Sequence, residues 1–174
     1  TNILGTVNIL EAIRQTPSVR SAVIVTTDKC YENNEILSGY KEDDRLGGKD
    51  PYSASKASAE LITGAYRHSF FSVKGAPGIA TARAGNVIGG GDWAENRLIP
   101  DCIRSIKAVK AVEIRNPDSV RPWQHVLDPL HGYLLLGKLL AEDPHGYAEA
   151  WNFGPEPGNM TSVKEITETI FKTI

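Results

Sequence analysis

Ala22-Val23-Ile24-Val25-Thr26-Thr27-Asp28-Lys29 is the stretch from which the fold can be read. Residues 22–26 form a short, mostly β-branched run without polar alternation, which predicts a strand buried on both faces, as in a parallel sheet. The polar cluster Thr27-Asp28-Lys29 follows at its carboxyl end. Upstream, Ile3, Val7, Leu10 and Ile13 recur at three- and four-residue steps, predicting a helix over 2–14 that Pro17 ends. Downstream, residues 32–50 are polar and glycine-bearing, and Pro51 then opens a helical segment that runs through Tyr52, Leu61, Ile62 and Tyr66 to Phe70. A second buried strand is expected over 79–84. Strands joined through helices predict an α/β fold with a parallel sheet.

The second half is more irregular. Asn86-Val87-Ile88-Gly89-Gly90-Gly91-Asp92-Trp93 contains three consecutive glycines, which let a backbone approach a ligand closely. Beyond it the pattern predicts a helix over 99–108, a short strand over 112–115, a helix over 129–141 and a strand over 150–153. Ser162 and Glu165 stand at the spacing of a capping box, marking a last helix.

Composition narrows the function. The 174 residues are 41% hydrophobic, enough for one globular core, and a formal net charge of -2 disfavours nucleic acid or an anionic membrane as partner. No apolar run reaches the roughly 18 residues of a membrane span, nor does the amino end carry a signal peptide, so the expected location is cytoplasmic. Cys30 and Cys102 form no CxxC pair, and His68, His125, His131 and His145 lack zinc-ligand spacing, so no metal is expected. The chain opens inside one amphipathic pattern and stops inside another, as if cut at both ends.

In open α/β sheets ligands bind beyond the carboxyl ends of the strands, which makes Thr27, Asp28 and Lys29 candidates for chemistry. A capping Asp at the start of a loop is the plainer alternative. Tyr52-x-x-x-Lys56 is the second constellation. Four residues apart on a helix, the Lys56 ammonium can sit near the Tyr52 phenol and favour its phenolate, a general base.

With these residues in place the sequence resembles the extended short-chain dehydrogenase/reductase family. Tyr52 and Lys56 match its catalytic pair, Arg83 to Gly89 its cofactor and substrate loop, Arg121-Pro122-Trp123-Gln124-His125-Val126-Leu127-Asp128 its Arg-bearing lobe motif, and Trp151-Asn152-Phe153-Gly154 a later signature. Thr27-Asp28 is similar to the triplet of the nucleotide-sugar 4,6-dehydratases. Lys29 departs from their usual Glu, and together with Gly89-Gly90-Gly91-Asp92-Trp93 and Arg97-Leu98-Ile99-Pro100 it points to the CDP-glucose-using group.

The resemblance implies the carboxyl-terminal part of a Rossmann-type doubly wound parallel sheet plus part of a smaller mixed substrate lobe. Residues 1–88 would be a partial NAD-binding domain without its first strands and Gly-rich turn, and 89–174 mainly a nucleotide-sugar lobe interleaved with it. Such a truncated sheet exposes an edge, so the chain alone is expected to be unstable or to aggregate, against which a cooperative transition from soluble monomer would count. The implied cofactor is NAD, contacted by Thr26, Tyr52, Lys56 and Arg83, and the implied substrate is CDP-glucose, held by Asn86, Arg97, Leu98, Ile99, Pro100 and Arg121. Thr27, Asp28, Lys29, Tyr52 and Lys56 would be catalytic, with Tyr52 as base at the sugar 4-hydroxyl and Asp28 as acid at the 6-hydroxyl. Lys29 is either the base at C5 or a partner that pairs with an acid. A homodimer through long helices such as the one bearing Tyr52 is also implied. An epimerase or reductase would share Tyr52 and Lys56, and a non-catalytic sugar-binding module would bind without turnover.

Overall fold

The computed structural model describes residues 1–34, 36, 39–156 and 160–174. In chain order its elements are α1 (Asn2–Arg14), β1 (Ser21–Val25), a single 3-10 turn (Asp28–Cys30), α2 (Pro51–Phe70), β2 (Gly78–Ala84), β3 (Val87–Ile88), α3 (Leu98–Lys107), β4 (Val120–Arg121), β5 (Gln124–His125), α4 (Leu127–Glu142), β6 (Ala150–Phe153), β7 (Thr161–Ser162) and α5 (Val163–Thr173). They fall into two compact units, 1–84 with 129–153, and 85–128 with 154–174.

The first unit is a parallel sheet in the order β1-β2-β6 with helices on both faces. Successive strand residues point to opposite faces. Ala22, Ile24 and Ile79 therefore pack with Leu10, Ile13, Ile62, Tyr66 and Phe71, whereas Val23 and Ala80 pack with Leu136, Leu140, Trp151 and Phe153. Leu10, Ile79 and Leu140 are fully buried, each contributing about 1.5–3 kcal/mol by leaving water. β2, between two neighbours, is buried along nearly its whole length. β1 departs from the expectation of burial on both faces: it is only partly buried, because it has a neighbour on one side alone among the described residues.

The second unit is built from short pieces. β3 pairs with β5 in parallel, β4 with β7 antiparallel, and α3 packs on α5. The capping box is formed: Glu165 N donates to Ser162 Oγ at 3.1 Å and Ser162 N donates to Glu165 Oε2 at 2.9 Å.

One expected strand is corrected. Residues 112–115 keep the alternation of a strand, with Val112 and Ile114 partly buried and Glu113 and Arg115 exposed, but have no ladder partner among the described residues and form no strand. The backbone pairing falls at Val120–Arg121 instead. Residues 129–153, within the stretch expected to be mainly the second lobe but interleaved with the first, pack in the first unit because β6 extends the sheet from β2.

Candidate active site

The site in the first unit starts where β1 ends. Thr26 and Thr27 are buried, and the backbone then tightens into the Asp28–Cys30 turn, which Thr27 caps, Lys29 N donating to Thr27 Oγ1 at 3.4 Å. The Thr27 hydroxyl and the Lys29 ammonium both donate to Asp28 Oδ1, each at 3.1 Å. Lys29 thus pairs with an acid, and the pair is partly exposed, with 47% of the Lys29 and 33% of the Asp28 side chain accessible.

α2 faces this turn because its start is fixed. Asp50 accepts from Tyr52 N at 2.9 Å, Ser53 N at 3.0 Å and Ser53 Oγ at 2.5 Å, and Pro51 supplies the first helical position. Those bonds, the Ser53 hydroxyl foremost, hold the Asp50 carboxyl below the usual carboxylate range. A Cβ at Gly48 would lie 2.5 Å from Ala54 N, so only glycine lets the loop pass this close to the first turn. Tyr52 is 50% exposed there. One turn on, Lys56 Nζ donates to the carbonyl of Val25 at 3.1 Å, bringing the ammonium to the end of β1. No hydrogen bond joins Tyr52 to Lys56 among the described residues.

Beneath the turn lies a polar network absent from the sequence reading. Glu60, buried, accepts from the hydroxyl of Thr26, from Thr81 Oγ1 at 2.7 Å and from Arg83 NH2 at 2.8 Å. Arg83 NH1 also donates to Tyr31 Oη at 2.7 Å and to the carbonyl of Glu42 at 2.9 Å. Tyr31 donates onward to Asn152 Oδ1 at 2.6 Å. Burial works against the charge on Arg83, but the hydrogen bond and charge of Glu60, helped by Tyr31, outweigh it and raise its pKa. Burial raises the Tyr31 phenol and pushes the Cys30 thiol up to about 12, so Cys30 is no ready nucleophile.

Two residues expected at the cofactor direct their side chains into this network. The Arg83 side chain is 4% exposed and ion-paired inside the unit, and the Thr26 hydroxyl is turned onto Glu60. One signal was present in the sequence: an Arg inside an otherwise uncharged strand requires a buried partner, and Glu60 lies one turn after Lys56 on the same helix.

In the second unit the expected substrate residues occupy separate pieces. The carbonyl of Asn86 accepts from Gln124 N at 3.0 Å, joining the β3 and β5 segments. Arg97 NH1 pairs with Asp92 Oδ2 at 2.9 Å, and Leu98, Ile99 and Pro100 open α3 with Pro100 buried. Arg121 is exposed and reaches back to the carbonyl of Val120 at 3.4 Å. The triple glycine serves packing in part: a Cβ at Gly89 would meet Val126 Cγ1 at 2.6 Å, while Gly90 and Gly91 face open space.

Residues 1–173 match the family model described as GDP-mannose 4,6 dehydratase. The chain belongs to the GDP-mannose 4,6-dehydratase family. It is 48% identical over 172 residues to a CDP-glucose 4,6-dehydratase of Salmonella typhimurium, covering 97% of this chain and 48% of that protein. A crystal structure of dTDP-glucose 4,6-dehydratase from Bacillus anthracis in complex with NAD superposes with a TM-score of 0.80 at 27% identity, covering 99% of this chain and 51% of that one. A dTDP-glucose 4,6-dehydratase from Streptomyces venezuelae with NAD bound gives 0.81 at 27% identity, over 99% and 49%. The chain thus spans about half the length of the relatives it matches. Its α/β architecture with a parallel sheet is the Rossmann type of these dehydratases.

Proposed function

We propose that the protein containing this chain dehydrates CDP-glucose to CDP-4-keto-6-deoxyglucose, by oxidation at C4, loss of water across C5 and C6, and hydride return to C6. The observation that carries this reading is the junction at the end of β1, where the Thr27-Asp28-Lys29 turn and the Lys56 ammonium, 3.1 Å from the carbonyl of Val25, belong to one compact unit. The 48% identity to a CDP-glucose 4,6-dehydratase supports the choice of nucleotide. The expected compartment is the cytoplasm.

The half-exposed Tyr52 phenol and the Lys56 ammonium are a donor set that fits the ribose hydroxyls and amide of NAD. Thr26 and Arg83 add no side chain to it, being held by Glu60. When bound, NAD supplies a hydride acceptor that later gives the hydride back. Tyr52 takes the proton of the sugar 4-hydroxyl, with Lys56 favouring the phenolate. The 4-ketone so formed acidifies the proton on C5, which passes to a general base as the C5–C6 double bond forms and the C6–O bond breaks; the same proton returns to C5 once the hydride is back on C6. Asp28 gives a proton to the departing 6-hydroxyl. Its Oδ1 already receives Thr27 and Lys29, so Oδ2 is the oxygen proposed to face the 6-hydroxyl. Lys29 orients that carboxyl through the pair. Asn86, Arg97, Leu98, Ile99, Pro100 and Arg121 are the proposed substrate contacts. Arg97 and Arg121, both exposed, suit a diphosphate because a guanidinium meets its oxygens two at a time. A homodimer through α1 and α2 completes the reading; Leu4, Ile9 and Leu61 on those helices are exposed.

The test uses the full-length protein with NAD and CDP-, dTDP-, UDP- and GDP-hexoses, followed by mass spectrometry. Loss of one water from CDP-glucose alone, abolished by Asp28→Asn, is the expected result. An unchanged mass with altered sugar stereochemistry makes the protein an epimerase, and binding without turnover makes it a carrier.

A further inference from the structure

We infer that Glu60 is a positioning residue for the reaction proposed above, on which this inference rests: it locks the turn carrying Thr27 and Asp28 to the helix carrying Tyr52 and Lys56. Glu60 follows Tyr52 by eight residues and Lys56 by four, so the three side chains descend one stripe of α2. The first is half exposed, the second holds the carbonyl of Val25 at 3.1 Å, and the third holds the hydroxyl of Thr26. Consecutive residues leaving β1 are thereby gripped by consecutive turns of the helix.

Glu60 Oε2 faces the other way, accepting from Thr81 and Arg83 on the central strand at 2.7 and 2.8 Å. The carboxylate thus bridges three elements: α2, the end of β1 and β2. An ionised carboxylate only accepts, so the Thr26 hydroxyl must donate, which fixes its rotamer directly before Thr27. Arg83 pairs with Oε2, whereas the Oε1 contact to Thr26 is the one aimed at the end of β1. A misplacement of about 1 Å at a reacting centre is enough to cost roughly 100-fold in rate.

Because Glu60→Gln strands the buried Arg83 charge and threatens folding, the decisive comparison is Thr26→Val against Thr81→Val in the full-length protein. Each removes one hydroxyl donor to Glu60 and keeps the ion pair. Hydrogen exchange of the peptide spanning 26–31, read by mass spectrometry, should quicken about tenfold in Thr26→Val and stay within about twofold of wild type in Thr81→Val. In turnover, Thr26→Val should lose about 10- to 100-fold in kcat with the sugar KM within about twofold, while Thr81→Val keeps both. Equal effects of the two variants, or an unmoved 26–31 peptide in Thr26→Val, overturn the inference. A wild-type protein that dehydrates no nucleotide sugar defeats the proposed reaction instead, and the exchange comparison still decides whether Glu60 holds the turn.

Discussion

Two ion pairs of opposite character flank the candidate site. Glu60–Arg83 is almost completely enclosed, whereas Asp28–Lys29 is in contact with water. Breaking an enclosed pair from one side leaves a charge with neither solvent nor partner, which costs about 3–5 kcal/mol. Arg83→Leu should therefore lower the unfolding free energy of the full-length protein by about that amount in urea titrations, and adding Glu60→Leu should restore part of it. A double variant no more stable than Arg83→Leu would mean that packing around the guanidinium, over the Tyr31 ring at 5.0 Å, matters more than charge. The exposed pair obeys different arithmetic, since solvent screens it to about 0–1 kcal/mol. Lys29→Met should leave the urea midpoint nearly unchanged while reducing dehydration, because its assigned work is on the carboxyl of Asp28. A large stability loss in Lys29→Met would contradict that division of labour.

The first turn of α2 decides whether Tyr52 stands at the strand end, and its cap is a titrating group. The folded-state pKa of Asp50 is depressed, as is that of the Glu165 cap on α5, held by the backbone amide and hydroxyl of Ser162. A depressed carboxyl pKa contributes stability that is fully present above the ordinary carboxylate value of about 4 and is lost as pH falls through the folded value. The urea midpoint of the full-length protein should accordingly drop below about pH 4, and Asp50→Asn, which retains an accepting oxygen, should weaken that acid dependence. Asp50→Ala should lower the Tm by a few degrees at neutral pH. An unaltered pH profile in Asp50→Asn would place the acid sensitivity elsewhere. Local rules made this element legible: Pro51 at its start, the Tyr52–Lys56 spacing and the apolar period to Phe70 all lie within neighbouring turns. The same rules found α1, β1 and β2, whose runs span several periods. They failed at β3, β4, β5 and β7, because two residues carry no period and such strands exist only through distant partners. They failed equally for the buried network, whose Tyr31–Asn152 bond joins residues 121 apart.

At the scale of the molecule, the proposed homodimer would cover apolar side chains that this chain leaves exposed. Leu4 is 72% and Leu61 63% exposed, on the two helices that cover one face of the sheet. Isolated exposed leucines need no explanation, so position is what makes these informative: Leu61 lies on the helix bearing Tyr52 and Lys56, where a second copy would also stiffen the catalytic pair. In a two-fold interface the same patch meets itself, so one substitution buries a charge on each side of the interface. Leu61→Glu should therefore weaken dimerisation of the full-length protein by at least about tenfold in dissociation constant. Leu134 supplies the control, being as exposed but on α4, whose buried residues pack on the opposite face of the sheet. Leu134→Glu should leave the dimer intact. Sedimentation velocity across a micromolar concentration range separates the outcomes. A monomeric wild type, or equal weakening by both variants, removes α1 and α2 as the interface and leaves their leucines as ordinary surface.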